Sequence, residues 1–207
     1  MTTTDDEATR SAGATCSAGA DGAEYGDGDV DGAGGRVVGG TGWPDGGWYP
    51  YRVRGRERSG TVLWIAGRDD DPDQVFAPAD ADPRRVPVFV TGRQVRMYVR
   101  RHGRRLDDSR TATLELVRVQ HWLDDPARRK VPAGAVLEAW NFFEDLARGL
   151  ASAHLLPDQG AVHNGAYDKL FGDECDAWTP EERGAVLELL AAGVELWNTC
   201  PVAAGPR

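Results

Sequence analysis

The chain has 207 residues, a formal net charge of −9 and 41% hydrophobic residues, a length that fits one core with an appended tail but crowds two. No apolar run approaches the roughly 20 residues that cross a bilayer, so no membrane partner is expected. The acidic opening MTTTDDEATRSAGATC lacks the basic-then-apolar order of a secretory signal, and the expectation is a cytoplasmic protein.

Residues 1–42 read as a disordered acidic tail. Thr, Asp, Ala and Gly dominate it and Tyr25 is its one aromatic residue, too little apolar surface to offset the ordering of a backbone. Asp27, Asp29, Asp31 and Gly32 match the first half of a calcium loop, D-x-D-x-D-G. The carboxylate required at the twelfth position falls on Val38, so no calcium is expected there. The run GAGGRVVGGTG has the wrong spacing for a phosphate cradle.

A single domain is expected from residue 43 to about 200, with 201–207 as a C-terminal tail. Trp43 to Trp48 places turn signals between two indoles. Tyr49, Tyr51 and Val53 then alternate with Pro50, Arg52 and Arg54, the period of a strand with one wet face. Residues 61–66 are apolar on both faces and predict a central partner strand, joined to the first as a hairpin. The run GRDDDPDQ reads as a solvated loop. Residues 86–90 predict a third strand, with Pro87 at its start or on an exposed edge.

Thr91 and Gln94 occupy capping-box positions and predict a helix over 92–102, stopped by Gly103. Its dry side carries Val95, Tyr98, Val99 and His102; its wet side carries Arg93, Arg96, Arg100 and Arg104. The segment SRTATLELVRVQHWLDDP suits both strand and helix, and the spacing of Leu116, Val119 and Leu123 favours a helix over 113–124.

The strongest pattern lies at 132–151, PAGAVLEAWNFFEDLARGLA. Val136, Trp140, Phe143, Ala147 and Leu150 recur at helical steps, widened by Ala139, Phe142 and Leu146. Burying Trp140, Phe142, Phe143, Leu146 and Leu150 contributes on the order of 10 kcal/mol gross, before chain entropy opposes it. This helix is read as the interior spine, with Glu138, Asn141, Asp145 and Arg148 as its narrow wet stripe. A loop follows, and 166–171 reads as one helical turn inserting Tyr167, Leu170 and Phe171. Thr179, Pro180 and Glu182 then mark a helix start. Val186, Leu189, Leu190, Gly193, Val194 and Trp197 are its dry face, and Glu181, Glu188 and Glu195 align on the other. The fold class expected is α+β: a small antiparallel sheet of about three strands followed by a helical C-terminal half packed on it.

The motifs that assign an enzyme class, G-x-x-x-x-G-K-[ST], G-x-S-x-G and H-E-x-x-H, are absent. No catalytic residue and no cofactor is assigned. Cys16, Cys175 and Cys200 are odd in number without a C-x-x-C pair, which favours free buried thiols; pairing of Cys175 with Cys200 stays open for an oxidising compartment. Convergence of His154, His163 and Cys175 would be needed for zinc, with a spacing that fits no common site. A hydrolase or transferase site near His154 and His163 would need Asp168 or Cys175 in the same pocket.

The arginines at 93, 96, 100 and 104 would suit phosphates or an acidic protein surface. Against nucleic acid stands the net negative charge. The bland alternative is that the basic middle of the chain pairs with its own acidic helices, Arg being the default surface cation where Lys130 and Lys169 are the only lysines. The leading expectation is a non-enzymatic protein-interaction module of the immunity or antitoxin kind. It would meet a basic protein partner through Glu138 with Asp145 and through Glu181, Glu188 and Glu195. Nucleic-acid or anion binding through the Arg93 helix is the first alternative, and the His154/His163 site the second.

The segments AWNFFEDLA, AYDKLFGDE, AWTPEE and AAGVELW set a W-N-x-F helix, a Y-D-K-L-F insert and a T-P-E helix in that order. This order resembles a group of small proteins from GC-rich bacteria with no known activity, over about the last half of the chain. The resemblance implies that the residues beyond about Trp43 form one evolved domain. It assigns no role to any residue.

Overall fold

The structure, a computed structural model, describes residues 47–67, 71–80, 83–107 and 111–203, all within the compact unit Gly40–Arg207. The acidic run of residues 1–42 and the calcium-like motif inside it lie outside the described residues.

The hairpin forms as its alternation predicts. Strands β1 (Trp48–Arg54) and β2 (Ser59–Ile65) pair antiparallel from Trp48↔Ile65 to Arg54↔Ser59, with Tyr51 and Val53 buried and Arg52 and Arg54 exposed. Two short strands widen it. Within the expected solvated loop, β3 (Gln74–Val75) pairs with β2. The ambiguous segment opens as β5 (Ala112–Leu114), parallel to β1, so the order is β3-β2-β1-β5.

The expected third strand is not part of this sheet. Only β4 (Val86–Pro87) is regular, and it pairs in parallel with β6 (Val202–Ala203); Phe89 touches β2 through a single bridge to Thr61. Pro87 has no N–H to give a ladder, and the Val86 N–H goes to the Pro201 carbonyl at 2.9 Å. Residues 201–203 therefore belong to the fold, where a tail was expected.

Helix α1 (Gly92–Arg101) carries its complete capping box: the Gln94 N–H donates to Thr91 Oγ1, and the Thr91 N–H to Gln94 Oε1. Gly103, at φ +68°, ends it in the left-handed region that glycine adopts readily. Val95 and Val99 pack with Trp48, Leu63, Ile65, Phe76 and Phe89 on one face of the sheet. Helix α2 (Leu116–Asp124) starts three residues later than expected, without a side-chain cap, because 112–114 is taken up by pairing with β1.

The opposite sheet face receives the spine. Helix α3 (Ala133–Gly149) buries Val136, Ala139, Trp140, Phe142, Phe143, Leu146 and Ala147. The Phe142 ring stacks on Tyr51 of β1 at 5.7 Å and meets Trp197 edge-on at 5.5 Å. Trp197 belongs to α5 (Pro180–Thr199), whose own capping box joins Thr179 and Glu182. The layers therefore run α1, sheet, α3, α5. At Gly193 a Cβ would lie 2.0 Å from the Phe143 ring, and at Gly149 one would lie 1.8 Å from the Val75 carbonyl oxygen, so both contacts of α3 depend on glycine.

Where one helical turn was expected there is a full helix, α4 (Ala161–Phe171). Gly160 gives it no side-chain cap and Gly165 sits inside it, both of which weaken its signal in the sequence. It is held from outside: Trp178 Nε1–H donates to the Ala166 carbonyl at 3.0 Å, and Lys169 meets Glu182 at 2.7 Å. Leu170 is buried as expected, but Phe171 is 75% exposed.

Candidate functional site

The wet stripe of α3 is split by its surroundings. Glu138 is exposed, but Asp145, one helical face away from the spine in a wheel projection, is only 7% exposed. The C-terminal turns of α3 run against β3, which covers the side that the helix alone would leave to water. Arg148 donates to Asp145 at 2.5 Å and also to the main-chain oxygen of Asp73, just before β3. Burial pushes the Asp145 carboxyl up to about 7; Arg148 opposes this, while Asp73 and Glu144 add to it. Asp145 is buried and engaged by Arg148, so it does not stand on an open acidic docking face as expected.

An aromatic hollow lies on the same side of the sheet. Tyr49 and Trp64 stand opposite each other across β1 and β2, and Tyr51, two residues on, shows the same face. With Ala66, Asp73 and Ala112 they line a space of about 420 Å³. The Tyr51 and Trp64 rings meet at 4.6 Å and 82°. Tyr51 is 4% exposed, and its hydroxyl has no hydrogen-bond partner among the described residues. Burial first, then the charges of Glu138 and Asp145, push that hydroxyl's pKa up. The Trp64 indole N–H is buried without a partner. Asp73 faces the hollow with Oδ1 accepting the Gly67 N–H at 2.8 Å. The alternation by itself predicts a core-facing row of tyrosines, and the run GRDDDPDQ a solvated Asp73. A usable signal was present: two tyrosines in alternation, with a tryptophan equally far from the hairpin turn.

The arginines divide into two groups. Those near the hairpin turn are engaged: Arg54 with Glu115 at 2.6 Å and Arg56 with Asp124 at 2.5 Å. Arg58 donates to the Trp197 and Cys200 carbonyls at 2.6 and 3.1 Å. Arg93, Arg96 and Arg100 are exposed on α1, with no ion pair or hydrogen bond among the described residues. Arg104 is half-buried. Arg96, Arg100, Arg104 and Arg105 rim a hollow of about 210 Å³ floored by Val99 and Leu106. His102, expected on the dry side, is exposed; its Nδ1–H donates to the Tyr98 carbonyl at 2.8 Å.

Along α5, Glu181, Glu188 and Glu195 are exposed and have no cation partner among the described residues. Glu182 turns instead to Lys169 and to the Thr179 N–H, which hold its carboxyl below the usual range. His154, His163 and Cys175 do not converge: among the described residues no three His, Cys, Asp or Glu side chains are grouped to hold a metal ion. His163 sits edge-on to Trp140 at 6.1 Å, His154 lies in an exposed turn, and Asp168 is exposed. Cys175 and Cys200 are both buried and free, which answers the open question of their pairing. Among the described residues no helix is long and apolar enough to cross a membrane. No protein-family model, curated protein or solved structure matches the chain.

Proposed function

We propose that this chain works by binding, docking onto the phosphate backbone of a nucleic acid through the basic face of α1. The observation that carries this reading is the contrast between the two arginine groups. Internal pairing accounts for Arg54, Arg56 and Arg58 and leaves Arg93, Arg96 and Arg100 unmatched. Like charges crowded on one helix face repel, and a polyanion replaces that repulsion with charge-assisted hydrogen bonds while its counterions are released. Net charge is a weaker objection than it first looks. Residues 1–46 contain nine acidic and two basic residues, so −7 of the −9 lies there and −2 remains on 47–207. The field opposing a polyanion near the folded unit is correspondingly smaller.

A salt titration tests this. Binding to a mixed-sequence duplex should weaken linearly in a log–log plot against salt, and Arg96→Ala with Arg100→Ala should lower the slope by about 2. Absence of binding at low salt, or a slope untouched by the two substitutions, would remove the reading.

The acidic face of α5 supports a second reading, the interaction module meeting a basic protein. Its supporting observation is that Glu181, Glu188 and Glu195 all stand exposed without a cation; it loses Asp145. Capture of a basic partner that survives in the wild-type chain and is abolished by converting the three glutamates to Lys is the expected outcome. Co-purification that yields no protein, together with turnover in a broad substrate screen, would sink it.

A further inference from the structure

We infer that the aromatic hollow beside β1 binds an organic cation, a small molecule carrying a substituted ammonium group. The walls supply the first reason. Tyr51 and Trp64 form a corner, their rings 82° apart, and Tyr49 stands in register with Trp64 to add a third ring. Aromatic faces carry negative electrostatic potential and hold ammonium groups whose hydration is weak, a use to which cages of tyrosine and tryptophan are suited.

Charge supplies the second reason. Asp73 opens onto the hollow, and Glu138 acts on Tyr51 with a negative field. Arg148, beside Asp73, is engaged by Asp145 and by the main-chain oxygen of Asp73. An anion in the hollow would face Asp73, whereas a cation is matched on each side.

The third reason is that the fold leaves a polar atom without use there. The Tyr51 hydroxyl has no hydrogen-bond partner among the described residues; its lone pairs suit the positive rim of an alkylammonium. If these rings served packing alone, Trp64 would be enclosed like Trp140 and Trp197, but it is half-buried. The volume, about 420 Å³, lies within the usual range of about 300–1,000 Å³ for small-molecule sites. This site lies on the α3 side of the sheet and α1 covers the other, so it stands or falls independently of the nucleic-acid reading.

The test titrates the full chain with choline and, separately, with its neutral isostere in which a tert-butyl group replaces the trimethylammonium, following the backbone amide resonances of Ala66 and Ala112 in the lining by NMR. Choline should give a saturable shift and the isostere none. Trp64→Leu, which keeps apolar volume and removes the ring face, and Asp73→Asn should each weaken choline about tenfold, as a desolvated cation–π or ionic contact supplies. Asp73→Asn retains an oxygen for the Gly67 N–H and keeps the test decisive where the Trp64 variant fails to fold. Equal binding of the isostere, choline affinity unchanged in Asp73→Asn, or no saturation with choline would each overturn the inference.

Discussion

Asp145 shows how far one side chain can depart from what its own helix implies. Its folded-state pKa of about 7 stands above the unassisted value of 3.8, so the native state holds the proton more tightly than the unfolded chain does. The corresponding stabilisation is complete below about pH 4 and is lost as pH rises through 7. Replacing Asp145 by Asn should therefore shrink the stability difference between pH 5 and pH 8 by roughly 1–3 kcal/mol, read by denaturant unfolding at both values. Glu138 is shifted in the same direction, and Asp124 and Glu182 in the other, so the comparison with the variant isolates Asp145. Tyr51→Phe removes a hydroxyl with no partner and should change stability by no more than about 0.5 kcal/mol, which equilibrium unfolding also checks.

Helix contacts set the next scale. Gly193→Ala would drive a methyl into the Phe143 ring and should destabilise by about 1–3 kcal/mol. On the same helix, Gly184 has nothing within 4 Å of an added Cβ, and Gly184→Ala should stabilise by up to about 1 kcal/mol. Opposite signs from one substitution on one element, measured as thermal midpoints, separate packing from propensity. The same division explains what could be read in advance. Helices α1, α3 and α5 announce themselves because a capping box or a row of Trp and Phe acts within a few residues. Elements β3, β5 and α4 do not, since Gln74 and Ala112 become strand only where β2 and β1 offer an edge, and α4 is fixed by Trp178 and Glu182 reaching across to it. Val86 pairs with Val202, a separation no local pattern encodes. The arginine row and the α5 glutamates were legible as exposed faces. The row of rings was legible as alternation, but not the hollow it borders, which exists only once β3 and β5 bring Asp73 and Ala112 beside the tyrosines.

For the molecule as a whole, the layer order places the arginines of α1 and the glutamates of α5 on opposite outer layers, so charge changes at one should leave the other's partner indifferent. Glu188→Lys with Glu195→Lys is expected to leave the salt slope of nucleic-acid binding unchanged, measured as for the wild-type chain. The two unpaired thiols add a different consequence. Cys175 lies in the turn Cys175–Ala177 between α4 and α5, whereas Cys200 lies at the far end of α5 with its Sγ 3.2 Å from Arg58. A buried thiol meets an alkylating reagent only when its surroundings open. With Cys16 changed to Ser, the two labelling rates would clock separate events: release of the link between α4 and α5, and loss of the arginine clasp that ties the hairpin to the end of α5.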